Sequence, residues 1–274
     1  METDSLKQSI KAMVANFSSV HKEQGLEIVD KVISLLDEGK LRVASCNDNG
    51  EWITNTWIKE AILLYFRLRK MEDFQEGIYT YRDKIPLKSN YKALNVRVVP
   101  PAVARFGTFM EPNVVLMPSY VNIGAWIGAR TMIDTWATVG SCAQIGKDVH
   151  ISGGVGIGGV LEPASATPVV VEDGAFIGSR CIIVEGVRIG SEAVLAANCS
   201  ITASTPIIDT REKEFKVYKG HVPSRAVVLP GVKEKEVEGG KIYTSCMYIV
   251  GERKESTDRK TSLNEVLREF NISV

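Results

Sequence analysis

The sequence predicts a mainly β protein, a solenoid of short parallel strands with small flanking parts. Three observations predict it. A large apolar residue recurs at every sixth position: Val103, Phe109, Val115, Val121, Ile127, Ile133, Val139, Ile145, Ile151 and Ile157, then Val171, Ile177, Ile183, Ile189, Leu195 and Ile201. Four residues after most of these markers stands a small or β-branched residue, as at Ala125, Thr131, Ala137, Ala143, Val149 and Val155, and again at Ala175, Cys181, Val187, Ala193, Cys199 and Thr205. Glycine follows the marker directly at positions 128, 140, 146, 158, 178 and 190. A strict period of six fits neither the 3.6-residue helix nor simple strand alternation. It fits a coil whose flat sides each take six residues, with the aliphatic residue inside and the small one filling the corner. Such coils bury a continuous core only by stacking, at the interstrand spacing of roughly 4.8 Å. At the glycine positions a tight corner or a close backbone approach suits a residue with no Cβ.

The elements follow in order. Residues 1–100 lack the beat and are expected to form an α-helical N-terminal domain. Leu26, Ile28, Val29, Val32, Ile33, Leu35 and Leu36 recur at helical spacing until Gly39 stops them. Asn49-Gly50 is a turn dipeptide between Leu41–Ala44 and Trp52–Thr54, which predicts a hairpin. A second amphipathic helix is expected over Trp57–Met71, and this domain should pack on the first coil and hide its open edge. Residues 101–232 form the solenoid, with loop excursions near 161–170 (LEPASATPVV) and 209–216. Residues 233–274 read as a strand or two and a helix near Leu263–Phe270, capping the last coil.

Composition narrows the function. Lys and Arg balance Asp and Glu at 33 each, which leaves no basic field for nucleic acid or anionic lipid. No apolar run approaches a membrane span, and METDSLKQ lacks the character of a signal peptide, so a cytoplasmic protein is expected. The five cysteines form no CxxC and are odd in number, arguing against a zinc knuckle or a disulfide framework. Cys181 and Cys199 fall at inward corners, whereas Cys142 is out of phase and expected to be exposed. Three histidines (His21, His150 and His221), with only His150 inside the beat, argue against a three-histidine zinc site.

The beat resembles that of known hexapeptide-repeat proteins, which implies three units per coil and a left-handed parallel β-helix, against the usual right-handed crossover rule. The beat itself shows no handedness. Enzymes of that fold normally transfer acyl groups from CoA or acyl carrier protein, holding the pantetheine arm in a groove between adjacent subunits. The alternatives are an acetyltransferase working through His150, and a non-catalytic scaffold. Rods of the scaffold kind carry regular outward arrays, and the outward residues here from 130 to 160 are chemically mixed.

The run IDTWATVGSCAQIGKDVHISGGVGIGG (133–159), with VLEP after it, RVVPPA at 97–102 and LMPSYVNIGA at 116–125, closely resembles the tetrahydrodipicolinate N-succinyltransferases of bacterial lysine and diaminopimelate synthesis. The resemblance spans roughly residues 95–231. The related N-acetyltransferases of that pathway share the beat but lack DTWATVGSCAQIG. Membership would imply succinyl transfer from succinyl-CoA to the amino group of tetrahydrodipicolinate (2-amino-6-oxopimelate), with no permanently bound cofactor or metal. It would also imply a homotrimer with active sites between subunits.

Roles for single residues follow. An acid such as Asp134, at a corner beside apolar walls, is costly unless exposed, paired or used. In the family the matching aspartate contacts the acceptor's amine, where a carboxylate can orient the neutral nitrogen and receive its proton. A surface aspartate capping a turn is the duller alternative. Arg97, in RVVPPA, matches the family's substrate-binding arginine, and Arg180 is a second carboxylate clamp; Arg105 and Arg130 are weaker candidates. Ser152 and the backbone N–H groups through Gly159 could bind the thioester oxygen, though the same glycines serve close coil packing. Small residues Ala143, Ala196, Ala197 and Ala203, with Gly158 and Gly159, would leave room for the pantetheine arm, and the 161–170 loop could cover it. Lys219, Arg225 and Lys233 are candidates for the phosphates of CoA. Relatives commonly read Ser-Glu-Val-Val-Glu-Gly where this chain has Cys181-Ile182-Ile183-Val184-Glu185-Gly186, so their first acid is Ile182 here. Glu185 matches the second and is the other catalytic candidate.

Overall fold

The computed structural model describes residues 2–254, so the helix expected near 263–270 lies outside the described residues. Three helices, α1 (Glu2–Ala15), α2 (Lys22–Asp37) and α3 (Thr56–Leu68), share one core built from Ile10, Val29, Ile33, Leu36, Ile58 and Ile62. Between α2 and α3 the expected hairpin forms, Ala44–Cys46 against Trp52–Thr54, and Asn47 Oδ1 accepts the amides of Asn49 and Glu51 to close its turn. The helix expected to run to Met71 ends at Leu68 and gives way to a second hairpin, Glu72–Glu76 with Tyr79–Asp83. Gly77, at φ +61°, supplies the turn that hairpin needs.

The solenoid is a three-faced prism of two-residue strands, all parallel within each stack. The first face stacks Arg97–Val98, Val115–Leu116, Met132–Ile133, His150–Ile151, Phe176–Ile177 and Val194–Leu195, and ends on Ala226–Val237. The second stacks Val103–Ala104, Tyr120–Val121, Thr138–Val139, Gly156–Ile157, Ile182–Ile183 and Ser200–Ile201. The third runs from Phe109–Met110 through Trp126–Ile127, Gln144–Ile145, Val170–Val171 and Arg188–Ile189 to His221–Val222. In each pair the second residue points inward. The small corner residues Ala125, Thr131, Ala137, Ala143, Val149 and Val155 are buried with them.

The phase corrects the expected one at its start. Ala104, Met110 and Leu116 point inward, whereas Val103, Phe109 and Val115 point outward. The step from Leu116 to Val121 is five residues instead of six, and the Pro118 corner absorbs the missing one. Downstream the marker glycines serve close packing rather than unusual dihedrals: a Cβ on Gly178 would come within 2.6 Å of the Ala196 backbone, and one on Gly158 within 2.8 Å of Val184. The left-handed conformation falls two residues later, at the corner itself, and is taken there by Arg130, Trp136, Cys142, Asp148, Arg180, Glu192, Asn198 and Arg225 as well as by glycine. Two corner pairs, Arg130–Asp148 and Arg225–Glu192, tie successive coils together.

Two excursions lengthen the coil, both from the corner between the second and third faces. Residues 158–169 form one, held by the buried Lys59 Nζ, which donates to the carbonyls of Pro163 (3.2 Å) and Ala166 (2.7 Å). The other contains a hairpin, Ile207–Asp209 with Lys216–Tyr218, where a plain loop was expected. The strand Ala226–Val237 runs unbroken past residue 232, where a boundary was expected, and pairs with Gly240–Glu252. Ile207, Met247 and Ile249 join the solenoid core and close its last coil.

The helical part packs along the side of the prism rather than over its first coil. Ile123 and Cys142 are buried in the helical core, and Arg42 stacks on Trp126 (4.4 Å to the ring centroid) while donating to Gln144. The first coil is covered instead by residues 86–96, through Lys88 N to Ala104 O and Tyr91 against the core. Inside, Ser119 is 7% exposed and its hydroxyl has no hydrogen-bond partner. A buried unsatisfied hydroxyl is a net cost, so Ser119→Ala should stabilise the protein by about 1 kcal/mol in thermal or urea unfolding. An unchanged or lower midpoint would show that the hydroxyl is satisfied in solution.

Candidate active site

The prism sorts the sequence-predicted residues into two groups. The corner between the first and second faces carries Asp134, Ser152, Arg180, Ala196 and Ala197, and Arg97 projects from the first face two coils above Asp134. The corner between the second and third faces carries Ala143, Gly158, Gly159 and Glu185, and Lys219 ends the excursion that leaves it. Asp134 and Glu185, the two catalytic candidates, are therefore not brought together by one chain: the second face separates them.

At the first corner Asp134 follows the inward Ile133, and its N–H donates to Ile151 O (2.9 Å), which fixes the backbone. Its Oδ1 accepts the Thr135 N–H at 2.6 Å and the Thr135 hydroxyl at 3.2 Å. Oδ2 takes no hydrogen bond from any described residue and is available to a ligand. Arg97 and Arg180 are exposed, and neither makes an ion pair among the described residues. Arg105 instead pairs with Asp83, and Arg130 with Asp148. One carboxylate oxygen is thus left available at this corner, with Arg97 two coils above it on the first face and Arg180 two coils below it in the corner column.

His150 lies one coil below Met132, half-buried and stacked on Phe176 with ring centroids 5.1 Å apart. Burial pushes its pKa below the ordinary 6.5, and the nearby Asp134 opposes this only in part. A histidine whose folded pKa is depressed contributes stability that is complete above about pH 6.5 and is lost as pH falls through the folded value. The thermal midpoint should therefore drop between about pH 7 and pH 5, and His150→Gln should flatten that slope. An unaltered slope would place the acid sensitivity elsewhere, for instance at His221, whose pKa burial also lowers.

Several expectations are corrected. Ala143 is fully buried and Ala196 nearly so; both pack in the solenoid core, because small residues here fill corners rather than open a groove. Ala197 and Gly159 are exposed. The amides of Ser152, Gly154, Val155, Gly156 and Gly158 already donate to the carbonyls of Ile177, Thr135, Ser152, Cys181 and Ile183, so these five are not ready oxyanion donors. The glycines of this run serve packing: a Cβ on Gly156 would meet Ile182 Cδ1 at 2.9 Å. Cys142 is buried under the helices, and burial pushes its thiol up to about 12, the reverse of an activated nucleophile. Arg225 is engaged with Glu192 and with Arg253 O. Glu185 accepts the Ala203 amide at 3.2 Å, while Lys219 and Lys233 are exposed.

Sequence reasoning overlooked Trp136, two residues beyond Asp134 and 66% exposed. An indole at a corner position in an otherwise small-residue or polar column was the available signal.

Comparison with known proteins places the chain among relatives of one kind. A family described as "Tetrahydrodipicolinate N-succinyltransferase N-terminal" matches residues 5–68, and one described as "Hexapeptide repeat of succinyl-transferase" matches residues 168–203. A protein of Polynucleobacter asymbioticus named 2,3,4,5-tetrahydropyridine-2,6-dicarboxylate N-succinyltransferase is 50% identical over 248 residues, covering 88% of this chain and 89% of its own. One of the same name from Acinetobacter baylyi is 47% identical over 261 residues, covering 93% and 94%. Among solved structures, one titled a putative 2,3,4,5-tetrahydropyridine-2-carboxylate N-succinyltransferase from Campylobacter jejuni matches with a TM-score of 0.50 at 17% identity, over 81% of this chain and 62% of that one. At that identity the likeness is one of fold.

Proposed function

The chain belongs to the tetrahydrodipicolinate N-succinyltransferase family, and from that premise we propose how it transfers the succinyl group of succinyl-CoA to the amino group of tetrahydrodipicolinate (2-amino-6-oxopimelate) in diaminopimelate and lysine synthesis. The observation that carries the reading is that Asp134 Oδ2 and the side chains of Arg97 and Arg180, at or beside one edge of the prism, have no hydrogen-bond or ion-pair partner among the described residues. Two guanidinium groups suit the two carboxylates of the acceptor, and the carboxylate suits its amine. The neutral amine nitrogen attacks the thioester carbonyl carbon. A C–N bond forms, the C–S bond breaks, and the nitrogen's proton passes by way of Asp134 to the leaving CoA thiolate.

Succinyl-CoA is the co-substrate, and its arm belongs at the corner between the second and third faces, with Gly159, Glu185 and Lys219. The separation of the two corners supports a homotrimer in which one subunit's Asp134 corner faces its neighbour's Glu185 corner. A left-handed wind, a helical part to about residue 100 ahead of the solenoid, and a cytoplasmic location complete the reading. No helix among the described residues is long and apolar enough to cross a membrane.

Thiol release from succinyl-CoA, measured with and without tetrahydrodipicolinate and with acetyl-CoA as the control donor, tests it. Acceptor-dependent release that prefers the succinyl donor is expected. Release from acetyl-CoA alone would move the chain to acetyl transfer, and none from either donor would leave the scaffold reading.

A further inference from the structure

We propose that Trp136 is a binding and specificity-determining residue for the dicarboxylate acceptor, forming an apolar wall of its pocket beside Asp134. The inference rests on the succinyl-transfer reading above and adds to it a residue and a wall.

Trp136 sits at a corner with φ +60°, a conformation that glycine, asparagine and aspartate adopt readily and a bulky aromatic does not. Most other non-glycine residues held this way have a visible intramolecular partner. Arg130 pairs with Asp148 and Arg225 with Glu192, Asn95 bonds Asn113, Glu185 holds the Ala203 amide, and Cys142 is buried under the helices. Trp136, Arg180 and Asn198 are the exceptions: among the described residues Trp136 makes no side-chain hydrogen bond or ring contact, Arg180 no side-chain hydrogen bond or ion pair, and Asn198 no side-chain hydrogen bond. Trp136 and Arg180 stand in one column, linked through the coil by Gly154 N to Thr135 O (2.9 Å) and Arg180 N to Gly153 O (3.1 Å).

Between them lies Gly154, and Arg180 is laid against it, since a Cβ there would meet Arg180 Nη1 at 2.6 Å. The backbones of Trp136 and Arg180 are two coil spacings apart, about 9.6 Å, and the guanidinium is drawn back over Gly154 toward the Trp136 coil, where Asp134 stands two residues before the indole. A dicarboxylate whose carbon skeleton lies on the indole can reach Arg180 with one carboxylate while its amine stays at Asp134. An indole left 66% exposed gains by covering such a skeleton.

The test is steady-state kinetics of Trp136→Ala, Trp136→Asn and Trp136→Phe in the full chain, with oligomeric state measured alongside. Trp136→Ala should raise KM for tetrahydrodipicolinate about 10–50-fold, with kcat within about threefold and KM for succinyl-CoA within about twofold. Trp136→Asn tolerates the corner conformation without the indole, so it should show the same KM defect at undiminished thermal stability. Trp136→Phe should recover most of the wild-type value. In a second readout that needs no turnover, pyridine-2,6-dicarboxylate should change the tryptophan emission of the wild type but not of Trp136→Phe. A KM effect confined to succinyl-CoA would put Trp136 in the donor site, and dissociation of the oligomer would make it an interface residue; either outcome overturns the proposal, as does unchanged acceptor KM. A wild type that shows no acceptor-dependent thiol release would instead overturn the reading on which the proposal rests.

Discussion

Lys88→Ala is expected to destabilise the protein by about 3–5 kcal/mol, the range for removing one partner of a buried ion pair. The Lys88 side chain is fully buried and its Nζ lies 2.8 Å from Asp37 Oδ1, itself nearly inaccessible. The same Nζ donates to the Asp37 backbone oxygen at 3.2 Å, and Asp37 Oδ1 also accepts the Gly107 amide at 2.9 Å. Asp37 ends α2, where the carbonyl end of the helix dipole disfavours an anion, so the carboxylate depends on its cation. Alanine would leave that carboxylate in a dry junction between α2 and the first coils, with one amide as its remaining partner. Urea unfolding measures the effect. Lys88→Met combined with Asp37→Asn should recover much of the loss, because no charge then stays buried. A loss under about 1 kcal/mol for Lys88→Ala would mean that water reaches Asp37 once the lysine is gone.

The solenoid was legible because its core is periodic, and its misreadings share that origin. Val103, Phe109 and Val115 continue the six-residue beat yet point outward. Phe109 is apolar for another reason: it packs against Trp126, with ring centroids 4.4 Å apart, and against the turn at Gly39. A period cannot distinguish an apolar residue facing the core from one facing a docked domain. Cys142 illustrates the converse, since it falls outside the beat and is buried by helices that the beat does not report. Ala143 and Ala196 show that small size alone signals filled corners as readily as an open groove. Asp134 stands out as a candidate because it is chemically out of place on an aliphatic frame, and Arg97 because it falls in a run shared with the family. The proposed donor residues stand out less, because they are glycines and surface cations whose roles depend on what packs beside them. Trp136 escaped because an aromatic side chain in a β protein is ordinarily core, and only its corner dihedral and exposure distinguish it.

Asp134→Asn should reduce turnover by about 10²-fold or more, the scale on which positioned acid–base groups act. The substitution is almost isosteric, and the amide oxygen can keep the Thr135 N–H bond made by Oδ1. What it removes is the acceptor oxygen at Oδ2 and the charge, replacing them with an N–H₂ donor that faces the substrate amine and cannot take its proton. The fall should therefore appear in kcat at saturating succinyl-CoA, with stability and oligomeric state unchanged. Glu185→Gln provides the comparison. Its carboxylate lies at the other corner and already holds the Ala203 amide, so in an isolated subunit it has no route to the same amine. If subunits assemble with the two corners facing, Glu185→Gln lowers kcat too. Mixing Asp134→Asn chains with Glu185→Gln chains then restores part of the activity, since some interfaces pair two intact carboxylates. Activity that does not recover on mixing would confine the proton chemistry to Asp134 within one chain, and near-normal turnover of Asp134→Asn would remove this aspartate from the mechanism.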